Sequence, residues 1–443
     1  MFKKLLFFIA LIPSCLVAQH TIKGVFTPAN KYNIVLLYKV RPHISDYISN
    51  SEIKEDGSFE IKLDSTVTKG MYRLVYAVPQ EDYNFDIIYN GEEDIELTFN
   101  SETGVAFKKS SENKLLASYN NSMSMVTHSI GNYFSQQSKD TTALSTIFKT
   151  QRETQTNFEE AAKTSIALPF IKANKPYVPN KIEDVDTYVD NLRSHYFDYV
   201  DFNNEILQSS NFLEEKILNY VFGMSYETED EIANYKNNID AVAKAMQDAP
   251  NDVKRILLFD LWQQMSDLGH EPVANHISEK YLMDIAVALN DQKLLGALIL
   301  YKNISNGNQA PDFDIEIKEK DKLVTKKLSQ LTGAKNYIVA FWSSTCSHCL
   351  DEIPQLQTYV QTKEKGLIQV VAIGLEDEPY KWKDLTYSYP SFMHVYGEGK
   401  WDNKIGNAYG VTSTPTYFIL DKDKKIVSKP EDLKALKVFL NAE

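Results

Sequence analysis

At 443 residues, 43% of them hydrophobic, the chain is long enough to form several domains and to bury a large core without covalent staples. A formal charge of −13 argues against the basic patch that neutralising phosphates demands, so nucleic acid is not expected as a partner. Three cysteines are too few for a disulfide scaffold.

The N-terminus reads MFKKLLFFIALIPSCLVAQH. Lys3 and Lys4 precede an apolar run from Leu5 to Leu16, and Ala18 supplies a small residue before Gln19, the layout of a secretory signal peptide over residues 1–18. The run is shorter than the roughly 20 residues that cross a bilayer core, and no later segment approaches that length. The expectation is export to the periplasm or cell envelope. A second reading lipidates Cys15, because Ile12-Pro13-Ser14-Cys15 loosely resembles a bacterial lipobox, although Pro13 suits that pattern poorly. Only then would a membrane be a partner.

Residues 19–105 read as β structure. TIKGVF, NIVLLYK, SFEIKL, YRLVYAV, NFDIIYN and DIELTF are short and rich in β-branched and aromatic residues, with turn signals at Asp56-Gly57 and Asn90-Gly91. A small antiparallel sandwich fits. The pattern resembles the N-terminal modules of exported thioredoxin-like proteins from Bacteroidetes-type bacteria.

Over residues 106–304 the period becomes helical, as in Leu144, Ile147 and Phe148, and again in Val253, Ile256, Leu257 and Leu261. Pro250-Asn251-Asp252 and Pro272 mark helix starts. The aromatic run HYFDYVDF, His195 to Phe202, could be a ligand surface, but at helical spacing core is the expected role. Ser305 to Pro311 is polar and turn-rich and reads as a linker. Residues 305–443 then alternate strand and helix: FDIEI, the buried strand NYIVAFW, a helix from Cys349 to Lys365, the strand IQVVAIG, a helix near Tyr380 to Tyr387, the strands MHVY, TYFILD and KIVS, and a closing helix from Glu431. Such alternation implies a mixed sheet covered by helices on both faces. The expected whole is multidomain, an all-β sandwich, a central α-helical region and a C-terminal α/β fold.

Once a leader carrying Cys15 is removed, the remaining cysteines are Cys346 and Cys349 in FWSSTCSHCLDEIP. The first falls where a strand ends and a helix begins, near unpaired N–H groups and the positive end of the helix dipole. That placement favours thiolate, the nucleophile of disulfide exchange. Cys349, one turn further in, would be the resolving partner.

These residues resemble the thioredoxin fold, and more closely its exported TlpA/ResA-type branch, which serves periplasmic thiol reduction and cytochrome c maturation. The resemblance rests on GNQAPDF, Trp342, the CxxC, Glu352-Ile353-Pro354 and Thr412-Ser413-Thr414-Pro415-Thr416. It implies a thiol-disulfide oxidoreductase with Cys346, Cys349, Glu352 and Pro415 as catalytic residues. Pro415 would be cis and face the CxxC, and Glu352 would tune proton transfer near the buried cysteine. Trp342 and Thr414 are expected to bind substrate, Thr414 by pairing with a peptide laid across the disulfide. Pro354 would kink the helix. The Ser347-His348 dipeptide is expected to tune the couple, since imidazole beside the thiolate stabilises the reduced form and raises the potential. Thr345 departs from the aromatic residue common there in the family. No cofactor beyond the Cys346–Cys349 disulfide is implied. Protein thiols or disulfides and an upstream electron donor or acceptor protein are the implied partners.

Zinc would need two more ligands, and neither a second CxxC nor suitably spaced histidines exist; His270 and His276 are six apart. The PxxxTxxC loop of a peroxiredoxin is missing. Two rival readings stay open: a binding or scaffold protein with a minor redox role, and a DsbA-like oxidase or isomerase. Reduction is preferred from the resemblance, whereas His348 leans the other way.

Overall fold

The computed structural model describes residues 20–41, 44–80, 82–224, 230–319 and 322–442; the expected leader and Cys15 lie outside them. By its own contacts the chain divides into two compact units, residues 1–261 and 262–443.

The first unit begins with eight strands: β1 Thr21–Thr27, β2 Ile34–Arg41, β3 Ile44–Glu52, β4 Ser58–Lys62, β5 Gly70–Val75, β6 Asn84–Tyr89, β7 Ile95–Asn100 and β8 Gly104–Lys109. They form two four-stranded sheets in the orders β4-β1-β7-β8 and β3-β2-β5-β6. Side chains that alternate inward, such as Ile22 and Phe26 from β1 and Val35 and Leu37 from β2, fill one core. Gly57 at φ +82° and Gly91 at φ +83° occupy the left-handed positions that the turn signals anticipated. The sandwich is not wholly antiparallel as expected: β1 and β7 run parallel. A whole sheet intervenes between them in sequence, long enough to allow the crossover that a parallel pair requires.

The rest of this unit is helical, including Ser111–Ser135, Thr141–Ala161, Phe212–Gly223 and Glu231–Ala245. Asn113 on the first of these bonds both backbone groups of Ile88, accepting from its N–H at 2.9 Å and donating to its carbonyl at 2.7 Å. Asp86 on β6 receives Arg73 Nε at 2.8 Å and Asn211 N at 3.0 Å. HYFDYVDF does not form the expected helical core. After the helix Val185–Ser194 the chain turns; Phe202 is buried, but His195 and Tyr199 are exposed. Ring spacing alone could not distinguish a helix from successive turns.

In the second unit a five-stranded sheet has the order β13-β12-β11-β14-β15, from β11 Asn336–Trp342, β12 Ile368–Glu376, β13 Phe392–Glu398, β14 Thr416–Leu420 and β15 Ile426–Ser428. The hairpin β9 Asp314–Glu319 with β10 Lys322–Lys327 lies outside it. β11 pairs parallel with β12 and antiparallel with β14. Every residue of β11 is buried because its two faces feed two cores. Tyr337, Val339 and Phe341 enter one; Ile338, Ala340 and Trp342 enter the other, together with Cys349, Ile353 and Leu356 of the helix Ser347–Gln361.

The linker-like stretch is bound into this unit. Gly307 N donates to Ile426 O at 2.7 Å, Ala310 N to Lys424 O at 2.9 Å, and Asn306 N to Glu271 Oε2 at 2.8 Å. The helices Glu271–Ile277, Met283–Ala288 and Gln292–Asn303 belong to the same unit as the sheet, and Lys429 pairs with Glu271.

Gly374 on β12 is required by its neighbour. A Cβ there would stand 1.9 Å from Nε1 of Trp382 on the helix Pro379–Thr386. Gly374→Ala is expected to destabilise this unit by about 1–3 kcal/mol, seen as a lower urea midpoint for the full chain. An unchanged midpoint would mean that the indole moves aside freely.

Candidate active site

The site is built where β11 stops. Ser343 and Ser344 are buried, and the Ser344 N–H donates to the Glu376 carboxylate, itself 4% exposed at the end of β12. Cys346 N closes a turn onto Ser343 O at 3.2 Å. Cys346 is then the N-cap of the helix Ser347–Gln361, in extended conformation with φ −90° and ψ 121°. Its Sγ accepts from Cys349 N at 3.3 Å, taking one of the N–H groups that the first turn leaves unsatisfied.

Across from it, Thr414-Pro415 is a cis peptide. The Cys346 thiol donates to Thr414 O at 3.2 Å, so the two segments, 68 residues apart in sequence, meet at the sulfur. Cys346 is half-buried, Cys349 is completely buried, and both are free thiols. Thr414 and Pro415 are half-buried.

The environments drive the two thiols apart. Burial raises Cys346, but the hydrogen bonds reaching its sulfur, led by those from the Cys349 thiol and N–H and joined by Thr414 and the His348 N–H, outweigh it, and its pKa lies below the ordinary thiol value. For Cys349, burial first and then donation to the Cys346 sulfur push the pKa up to about 12. The more accessible sulfur thus favours the thiolate, and the buried one favours its protonated form.

Ser347 and His348 are exposed on the outer side of the first turn. Pro354 lies inside the helix, which continues to Gln361. Glu352 does not face solvent. It is half-buried, and its Oε2 accepts from Tyr417 OH at 2.9 Å and from Leu433 N at 3.1 Å.

Trp342 requires a correction. It was expected to bind substrate, yet it has no accessible surface: it packs edge-on against Tyr389, with ring centroids 5.8 Å apart, in the core below the helix. A strand buried on both faces cannot offer a side chain to a substrate. Sequence reasoning missed Tyr417 and Glu376. Each left a faint signal, a polar group on a largely apolar, buried strand. Among the described residues no cluster of three or more His, Cys, Asp or Glu could hold a metal ion, and no helix there is long and apolar enough to cross a membrane.

The family model for Redoxin matches residues 305–432. Thiol-disulfide oxidoreductase ResA of Oceanobacillus iheyensis is 32% identical over 168 residues, covering 33% of this chain and 83% of that protein. ResA of Bacillus anthracis is 30% identical over 125 residues, covering 28% and 68%. Among solved structures, the thioredoxin domain of a thiol-disulfide oxidoreductase from Bacteroides vulgatus aligns over 31% of this chain and 96% of its own at 23% identity and a TM-score of 0.27. A thioredoxin-like protein from Bacteroides caccae aligns over 60% and 97% at 17% identity and a TM-score of 0.33.

The separation of the thiols predicts selective chemistry. Iodoacetamide at pH 7 should alkylate Cys346 and spare Cys349, and the rate should reach half its maximum below the free-thiol pKa of about 8.5. Mass spectrometry of peptides from the native protein reads both, and equal labelling of the two cysteines would contradict the burial.

Proposed function

Through its C-terminal domain the chain belongs to the thiol-disulfide oxidoreductases of the ResA family, and from that premise we propose that Cys346 and Cys349 are its redox-active dithiol, reducing or exchanging disulfides of exported proteins. The observation that carries this is the Cys346 sulfur, held at a helix N-terminus and 3.2 Å from Thr414 O, with Cys349 sealed one turn behind it.

The reaction balances without any bound group. Cys346 thiolate attacks one sulfur of a substrate disulfide; that bond breaks, its electron pair leaving on the other substrate sulfur, which takes a proton. Cys349, deprotonated by Glu352, then attacks Cys346. The mixed disulfide breaks, the second substrate sulfur leaves with its pair, and the Cys346–Cys349 bond forms. The substrate gains two electrons and the protein loses two. A donor protein returns them through the same surface. Half-buried Thr414 would pair with the substrate backbone beside the sulfur.

Export rests on the leader-like N-terminus, which places the substrates in the periplasm or cell envelope; cytochrome c maturation is one process such reduction would serve. His348, exposed beside the thiolate, is proposed to raise the potential by favouring the reduced form.

Two measurements test this reading. Cys349→Ser should accumulate substrates as mixed disulfides on Cys346, released by a reductant; no trapped protein would favour a scaffold role. Redox titration of the full chain should give a potential above thioredoxin's value of about −270 mV, and one at or below it would exclude tuning by His348.

A further inference from the structure

Cys349 is completely buried, so its proton has to pass to a protein group rather than to water. Glu352, three residues on along the same helix, lies within one turn. Its carboxylate is not free to swing. Oε2 is held at 2.9 Å by Tyr417 OH and at 3.1 Å by Leu433 N, the first residue of the closing helix Leu433–Ala442.

Tyr417 comes from β14, three residues after Thr414, whose carbonyl meets the Cys346 sulfur. The ring is 1% exposed and shares a core with Cys349, Ile353 and Trp342. A phenylalanine would fill that space almost as well. A buried hydroxyl is costly unless it is hydrogen-bonded, and the bond recorded for this one is to Glu352.

We propose that Tyr417 is a positioning residue for the resolving step: its hydroxyl fixes one oxygen of Glu352 so that the other is presented to the Cys349 proton. This rests on the reading of Glu352 as proton acceptor. Burial, then the neighbouring Glu352 and Cys349 charges, raise the phenol far above its ordinary range, so Tyr417 remains a donor and does not itself accept the proton. Leu433 N, a backbone donor, anchors the same oxygen from the other side.

The test uses the reduced full chain and 5,5′-dithiobis(2-nitrobenzoate), which resolves the two half-reactions. The first equivalent of thionitrobenzoate reports attack by Cys346. The second reports attack by Cys349 on the mixed disulfide. Tyr417→Phe is expected to leave the first phase unchanged and slow the second about tenfold at pH 7, as loss of a hydrogen bond to a charged group implies. Glu352→Gln should slow the second phase, and the double variant should be no slower than Glu352→Gln. A second phase slowed by Glu352→Gln but untouched by Tyr417→Phe overturns the positioning proposal alone. A second phase indifferent to Glu352→Gln sinks the proton-acceptor reading and this proposal with it. Independently of the kinetics, the ¹³Cζ resonance of Tyr417 should move on Glu352→Gln, and an unmoved resonance would overturn the proposal.

Discussion

The proposed redox centre depends on one constraint: a sulfur has to sit at a helix N-terminus with its donors in place before any substrate arrives. Everything around Cys346 serves that. β11 ends in the middle of the sheet, buried on both faces, and delivers the chain to one point. Glu376 fixes Ser344, Ser343 closes the turn, and Cys349 N donates to the sulfur. The loop at Thr414-Pro415 meets it from β14, which is paired with β11 in the same sheet. The Cys346 sulfur and the cis peptide opposite it are thus carried just beyond the ends of adjacent strands rather than on independent loops.

The second requirement is asymmetry. Two thiols three residues apart in sequence have identical intrinsic chemistry, and only their surroundings can order their reactions. At Cys346 directed hydrogen bonds outweigh the upward push of burial and lower the thiol, while full burial and donation to its neighbour push Cys349 up to about 12. Each effect feeds the other, because the proton retained on Cys349 is the one that stabilises negative charge on Cys346.

Much of this was legible beforehand for a physical reason. The CxxC, the strand before it and the prolines are local features, and local patterns report on short-range geometry. What depended on distant partners was not. β3 and β8 escaped notice because ISDYISNSE is polar and GVAFKK lies on an edge, where alternation is weak. The parallel pairing of β1 with β7 is a property of the fold's path, not of either strand. Trp342 looked like a surface feature from its place near the cysteines, but the parity of β11 turns it into the core. Tyr417 read as one more aromatic in a strand; only the arrival of Glu352 and Leu433 from elsewhere gives its hydroxyl a meaning.

Composition drew a border at Ser305, yet Glu271, on the far side of it, holds both Asn306 and Lys429. A gene fragment excised at that border would strand the acidic anchor on the discarded half. The heritable module, the piece that recombination could transplant intact, begins earlier, among the helices before Ser305.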